Sequence, residues 1–133
     1  MMINSLAAFI QYLKTPSLLS TPQIAEKPRY GEAWAAKSRS IVVRLDGGTP
    51  DLDLPVQPLR LEVRCFAEDA YHATELMNEV ISLSRTTARQ PVILGSDTAL
   101  IYEFWQESGP SLLFDDDLNM DFALMFFGAN ISE

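Results

Sequence analysis

Between Pro58 and Arg85 the apolar period of this chain changes from two to 3.6 within about three residues. Leu59, Leu61, Val63 and Cys65 alternate with Arg60, Glu62 and Arg64, as on a strand with one apolar face. After Ala67-Glu68-Asp69 the apolar positions become Ala73, Leu76, Met77, Val80 and Ile81, closed by Ser84, the three-and-four spacing of a helix stripe. A strand so tightly coupled to a helix has one layer of each to bury against the other. The expectation is an α/β (α+β) layered fold, with a helix over Asp69–Arg85.

The remaining segments fill out that architecture. Ile3, Leu6, Ala7, Ile10 and Leu13 mark a first helix over Ile3–Lys14, ended by Pro16. Residues 15–37, with prolines at 16, 22 and 28, read as a long connection. Ser40–Asp46 is β-branched and reads as a strand, followed by a loop over 47–58 with two glycines and three prolines. Residues 86–98 are polar and interrupted by Pro91 and Gly95, and are expected as a connection. Ala99–Glu107 reads as a third strand ended by Gly109-Pro110, residues 109–117 as a loop, Leu118–Phe127 as a final strand and Asn130–Glu133 as a polar tail.

This order predicts one domain over residues 1–133. It is a two-layer sandwich in which a four-stranded mixed or antiparallel sheet carries two helices on one face. Its last strand has Met120, Phe122, Leu124 and Phe126 on one side and Ala123, Met125 and Phe127 on the other. The third sets Leu100, Tyr102 and Phe104 against Ile101 and Trp105. A sheet with one wet face alternates more cleanly, so the face away from the helices needs a cover, and oligomerisation is the simplest.

With 133 residues the chain is long enough to bury a core without disulfides or a structural metal. One cysteine and one histidine rule out an intrachain disulfide and argue against a Cys/His metal site. The balance of 18 acidic to 10 basic residues, net −8, lacks the basic footprint of sequence-independent nucleic-acid binding. Met1–Leu13 has no basic leader or small-residue cleavage site and reads as an amphipathic helix rather than a signal peptide, and no apolar run approaches a membrane span. The expected protein is soluble and made inside a cell.

Few residues offer chemistry. His72, three residues after Asp69 and three before Glu75, is either a general base oriented by a carboxylate or a solvated helix histidine; the second is the expectation. Cys65 on an apolar strand face reads as an inert core thiol. Asp115, Asp116 and Asp117 with Asn119 and Asp121 could hold a hard cation but lack the EF-hand spacing, and read as a solvated turn. Gly47-Gly48 is too short to cradle phosphate. No catalytic, cofactor or metal residue is therefore assigned. Leu112, Leu113 and Phe114, in the expected loop 109–117, are apolar where a loop is ordinarily polar. They either fold onto the core or form a contact surface. Leu52, Leu54 and Val56 repeat the pattern in the other long loop.

The helix, the strand Ser40–Asp46 with Gly47-Gly48, the proline-rich excursion and the strand–helix unit resemble the tail terminator (tail-completion) proteins of long-tailed bacteriophages. Arg64, Phe66, Glu68, Asp69, Ala70 and Ala73 match the family's strand and acidic helix start. Glu107-Ser108-Gly109-Pro110, then Asp115 to Phe127, match its Gly-Pro strand end, acidic turn and final strand. The likeness runs from Ser40 onward; residues 15–37 match nothing in it. It implies a non-enzymatic virion protein forming a hexameric ring on the tail tube, ending tail polymerisation, meeting the head-side neck and letting DNA pass unbound. Leu112, Leu113, Phe114, Leu52, Leu54 and Val56 are then candidates to meet the tube or the neck. A head-completion or stopper protein, a tail-tube protein and, from another class, a small enzyme or ligand-binding domain are the alternatives.

Overall fold

The change of period marks a real junction. β3 (Val56–Ala67) leads into α2 (Ala70–Thr86) with only Glu68 and Asp69 between them. The computed structural model describes residues 5–15, 23–25, 39–46, 56–116 and 118–132. Asp69 adopts extended backbone and its Oδ1 accepts the His72 N–H at 2.8 Å, satisfying one orphan donor of the first turn. At the other end the Thr87 N–H and hydroxyl both donate to the Leu83 carbonyl. The Tyr12 hydroxyl meets Thr87 Oγ1 at 2.9 Å, tying the first helix, α1 (Ser5–Leu13), to the end of the second.

The strands are β1 (Gln23–Ala25), β2 (Ser40–Leu45), β3, β4 (Gln90–Leu94), β5 (Asp97–Asp115) and β6 (Met120–Ser132). They form one sheet in the order β1-β2-β3-β6-β5-β4, antiparallel throughout except for β1, which runs parallel to β2. The fold is α+β with both helices packed on one sheet face, as expected, but the sheet has six strands instead of four. β1 lies within the expected connection 15–37; three residues are too few to show a period. β4 lies within 86–98, where Pro91 reads as a breaker. An edge strand tolerates proline because its outward N–H has no ladder partner, and a turn at Gly95 (φ 61°) returns the chain to β5.

Three further expectations are corrected. β3 begins at Val56, inside the expected loop 47–58, and residues 47–55 lie outside the described residues. The expected loop 109–117 is strand as far as Asp115, because β5 runs on through Gly109-Pro110. The expected polar tail is strand as well: Asn130, Ile131 and Ser132 pair with β3 on one side and β5 on the other.

The helix-side core joins Phe9 and Leu13 of α1 and Met77 and Val80 of α2 to Ile41, Val63, Cys65, Met125 and Phe127 of the sheet. Phe104 stands at its centre, edge-on to Phe9 at 5.1 Å between ring centroids and 5.6 Å from Phe127. Simple alternation puts Phe104 with Leu100 and Tyr102, but the ladder slips between Ile101 and Glu103. One extra residue reverses the phase, so Phe104 joins Ile101 on the helix side and Trp105 turns to the other face.

That other face is partly covered from within the chain. Val42, Phe66, Leu118, Met120 and Phe122 form a second buried cluster at one end. Further along, the guanidinium of Arg64 lies 5.2 Å from the Phe122 ring and that of Arg60 lies 4.7 Å from the Phe126 ring. Arg60 also pairs with Asp46 at 3.4 Å and Glu107 at 3.5 Å, and Arg64 pairs with Glu62. The Trp105 indole lies against Gly128, where any Cβ would overlap it. The apolar residues expected to demand a neighbouring subunit are thus in part roofed by arginines of β3.

The bulge makes a measurable distinction. Phe104→Ala should cost about 3–5 kcal/mol in urea unfolding, the range for deleting a buried ring, and Tyr102→Ala markedly less, since Tyr102 is only half-buried. Equal costs would place the ladder slip elsewhere.

Candidate assembly surface

Leu112, Leu113 and Phe114 stand opposite Ala123, Phe122 and Asp121 in a regular antiparallel ladder. Directly opposed residues share a sheet face. Leu112 and Phe114 therefore face the helix side and Leu113 the other. Being in a strand does not bury them: they are 56%, 45% and 52% exposed. Of the two readings open for these residues, folding onto the core is not what occurs.

The reason is the edge. β4 pairs with β5 only as far as Ile101, and among the described residues no strand pairs with the outer side of β5 beyond it. The middle of that edge is irregular, with ladder slips between Gln106 and Ser111. Gly109 sits there at φ 101°, where a Cβ would come within 2.8 Å of the Leu124 carbonyl oxygen, and Pro110 has no N–H to offer. Irregularity and proline blunt an edge against pairing. Beyond them the ladder is regular again over Ser111–Asp115, the stretch that carries the apolar triplet.

The edge is flanked by α2. Ala70, Tyr71, Thr74, Glu75 and Asn78 of the helix and Leu112 of β5 line a shallow groove of about 360 Å³. Tyr71, 72% exposed, forms one wall of it.

The acidic residues at the hairpin end serve the turn. Asp115 Oδ1 accepts the Leu118 N–H at 2.9 Å, and Asn119 takes the left-handed conformation (φ 54°) that asparagine tolerates better than most residues. Asp121 belongs to β6, opposite Phe114, and Asp117 lies outside the described residues. Leu52, Leu54 and Gly47-Gly48 also lie outside them. Val56 opens β3 opposite Ser132, away from the hairpin end.

Charge is unevenly divided along the chain. No Lys or Arg follows Arg89, whereas Asp97, Glu103, Glu107, Asp115, Asp116, Asp117, Asp121 and Glu133 all do. β4, β5 and β6 are therefore a wholly acidic half of the sheet. The β2–β3 half carries Arg44, Arg60 and Arg64, with Arg39 just before β2, against Asp46 and Glu62. The whole-chain charge of −8 conceals this division.

His72 is placed by the helix start. Its Nδ1 lies 2.7 Å from Asp69 Oδ1 and 3.4 Å from Glu68 Oε1, and these three side chains bring their ligand atoms within 4.8 Å of one another. Arg39 holds Glu68, with Nη2 at 2.9 Å and Nε at 3.3 Å from its two oxygens. A carboxylate engaged by a guanidinium and another engaged in a cap account for the cluster as a surface ion-pair network. His72 is not among the side chains lining the groove. The buried Cys65 has its thiol pushed far above the ordinary range by desolvation, which leaves it protonated and unreactive.

No family model and no curated protein matches this sequence.

The cap has a pH signature. The His72 backbone N–H, then the His72 side chain, holds the Asp69 carboxyl below its usual value; the Arg39 hydrogen bond does the same for Glu68. A depressed carboxylate stabilises the fold above its unfolded pKa, near 4, and that stability is lost as pH falls through the lower folded value. Asp69→Asn keeps a capping acceptor but removes the charge. Acid titration of the thermal midpoint should therefore show a shallower fall below about pH 4 in Asp69→Asn than in the parent; identical slopes would remove Asp69 from the acid response.

Proposed function

We propose that this chain is a structural virion protein, a tail terminator that forms a ring on the last layer of a phage tail tube. There it stops tube growth, presents a surface to the head-side neck, and catalyses nothing. The observation that carries the reading is the strip Leu112-Leu113-Phe114, three large apolar side chains held in the open on a regular strand whose outer edge has no described partner. Soluble monomers seldom keep such a strip beside an unpaired edge, because it invites pairing with another chain. Assembly turns that liability into a contact.

Two further observations agree. Glu68, Asp69 and His72 are engaged in a helix cap and ion pairs at the surface, and none of the three lines the groove beside α2. The acidic balance suits a ring through which DNA passes without adhering. The described residues contain no helix long and apolar enough to cross a membrane, and the proposed location is the virion, after assembly in the host cytoplasm.

Native mass spectrometry and negative-stain microscopy of the purified chain test this reading. Closed rings of a single subunit number, six by the family resemblance, are expected. Stacking into long tubes would make it a tail-tube protein, and a strictly monomeric chain would defeat the ring. Leu112→Ser with Phe114→Ser removes roughly 1.5–3 kcal/mol of burial per side chain and should leave a folded protein that cannot cap tails, seen as overlong tubes. His72→Ala should leave both ring and capping unchanged; loss of activity with intact rings would point to catalysis instead.

A further inference from the structure

We infer that the outer edge of β5 receives the β2 edge of a second copy of this chain, head to tail, so that one sheet continues from subunit to subunit. This rests on the ring reading and gives it an interface. It also assigns Leu112, Leu113 and Phe114 to the neighbouring subunit rather than to the tube or the neck.

Charge counts against the symmetric alternative. Two copies meeting β5 to β5 about a two-fold axis would set side by side two edges that carry Asp115 and Asp116, and neither β5 edge holds a Lys or Arg, because none follows Arg89. The complementary surface is at the other end of the sheet. β1 pairs with β2 only over Ser40–Val42, so the outer side of Val43–Leu45 has no partner among the described residues. Leu45 is 52% exposed there, and Arg44 beside it is exposed as well.

The alternation of the two edges matches. On β2, Leu45 stands opposite Leu61 on the helix side, and Arg44 stands opposite Glu62 on the other face. On β5, Leu112 and Phe114 share the helix side, while Asp115, opposite Met120, belongs to the other face. A sheet continued across the boundary with its helices on the same side therefore sets Leu45 beside Leu112 and Phe114, and Arg44 beside Asp115, with the exposed Asp116 of the adjoining turn next in the chain. Apolar meets apolar on one face and opposite charges meet on the other. A contact between two different patches generates rings when its rotation closes.

Mixing tests this directly. One variant, Leu112→Ser with Phe114→Ser, spoils the β5 edge; a second, Arg44→Glu with Leu45→Ser, spoils the β2 edge. By native mass spectrometry each alone should be monomeric. An equal mixture should give dimers holding one of each and nothing larger, because only one sound junction can form. If either variant assembles like the parent, this interface is wrong while the ring stands. If the parent itself is monomeric, the ring reading falls and this inference with it. Should a serine variant lose its circular dichroism signature, charge exchange decides: Arg44→Asp should weaken association at least tenfold, and Arg44→Asp with Asp116→Arg should recover most of it. Failure to recover would overturn the Arg44–Asp116 proximity.

Discussion

β6 is the constraint on which the rest of the structure depends. It is paired along its length with β3 on one side and β5 on the other, and seven of its apolar side chains, Met120, Phe122, Ala123, Met125, Phe127, Ala129 and Ile131, are buried. A strand apolar on both sides cannot lie at an edge or over water. Once it is central, β3 and β5 must flank it, the helices must cover the face carrying Met125 and Phe127, and something else must cover Phe122 and Phe126. The long hairpin of β5 and β6 is the direct outcome, since Asp115, Leu118 and Asn119 close it in a tight turn.

The cover over Phe122 and Phe126 shows how the same strand can satisfy two demands. Arg60 and Arg64 occupy the polar positions of the β3 alternation, where solvent is the ordinary expectation. Their stems and guanidinium planes instead lie over aromatic rings of β6, with Asp46, Glu62 and Glu107 balancing the charge. An apolar face is thereby made compatible with water without a third layer of secondary structure. The protection ends near the hairpin tip, where β5 carries leucines and a phenylalanine and its own half of the sheet has no arginine at all.

That ending is where the fold bears on the proposed assembly. Beyond the irregular, proline-bearing stretch around Gly109, β5 regains a regular ladder and an open edge, beside a groove walled by Tyr71. The basic residues that would neutralise this acidic, apolar margin stand on β2 and β3, two or more strands away in the same sheet. Within one subunit Arg60 reaches Glu107 of β5, short of the apolar triplet. In the proposed ring, head-to-tail association is what brings the two charges together.

The amino-acid pattern by itself determined the α+β class, the junction of β3 and α2 and the inert character of Cys65. Each follows from a period or from a residue preference that acts within a few positions along the chain. It also marked Leu112, Leu113 and Phe114 as anomalous, since their polarity did not fit a loop. Tertiary structure decided why: they belong to a strand, continued through Gly109-Pro110 because β6 offered a ladder long enough to pair with it. The same long-range pairing made strands of Gln23–Ala25 and Gln90–Leu94, too short or too interrupted to show a period, and turned Phe104 inward through a one-residue slip. Local preference sets what a segment can become, and the partner strand, distant in sequence, sets its register and its free edge.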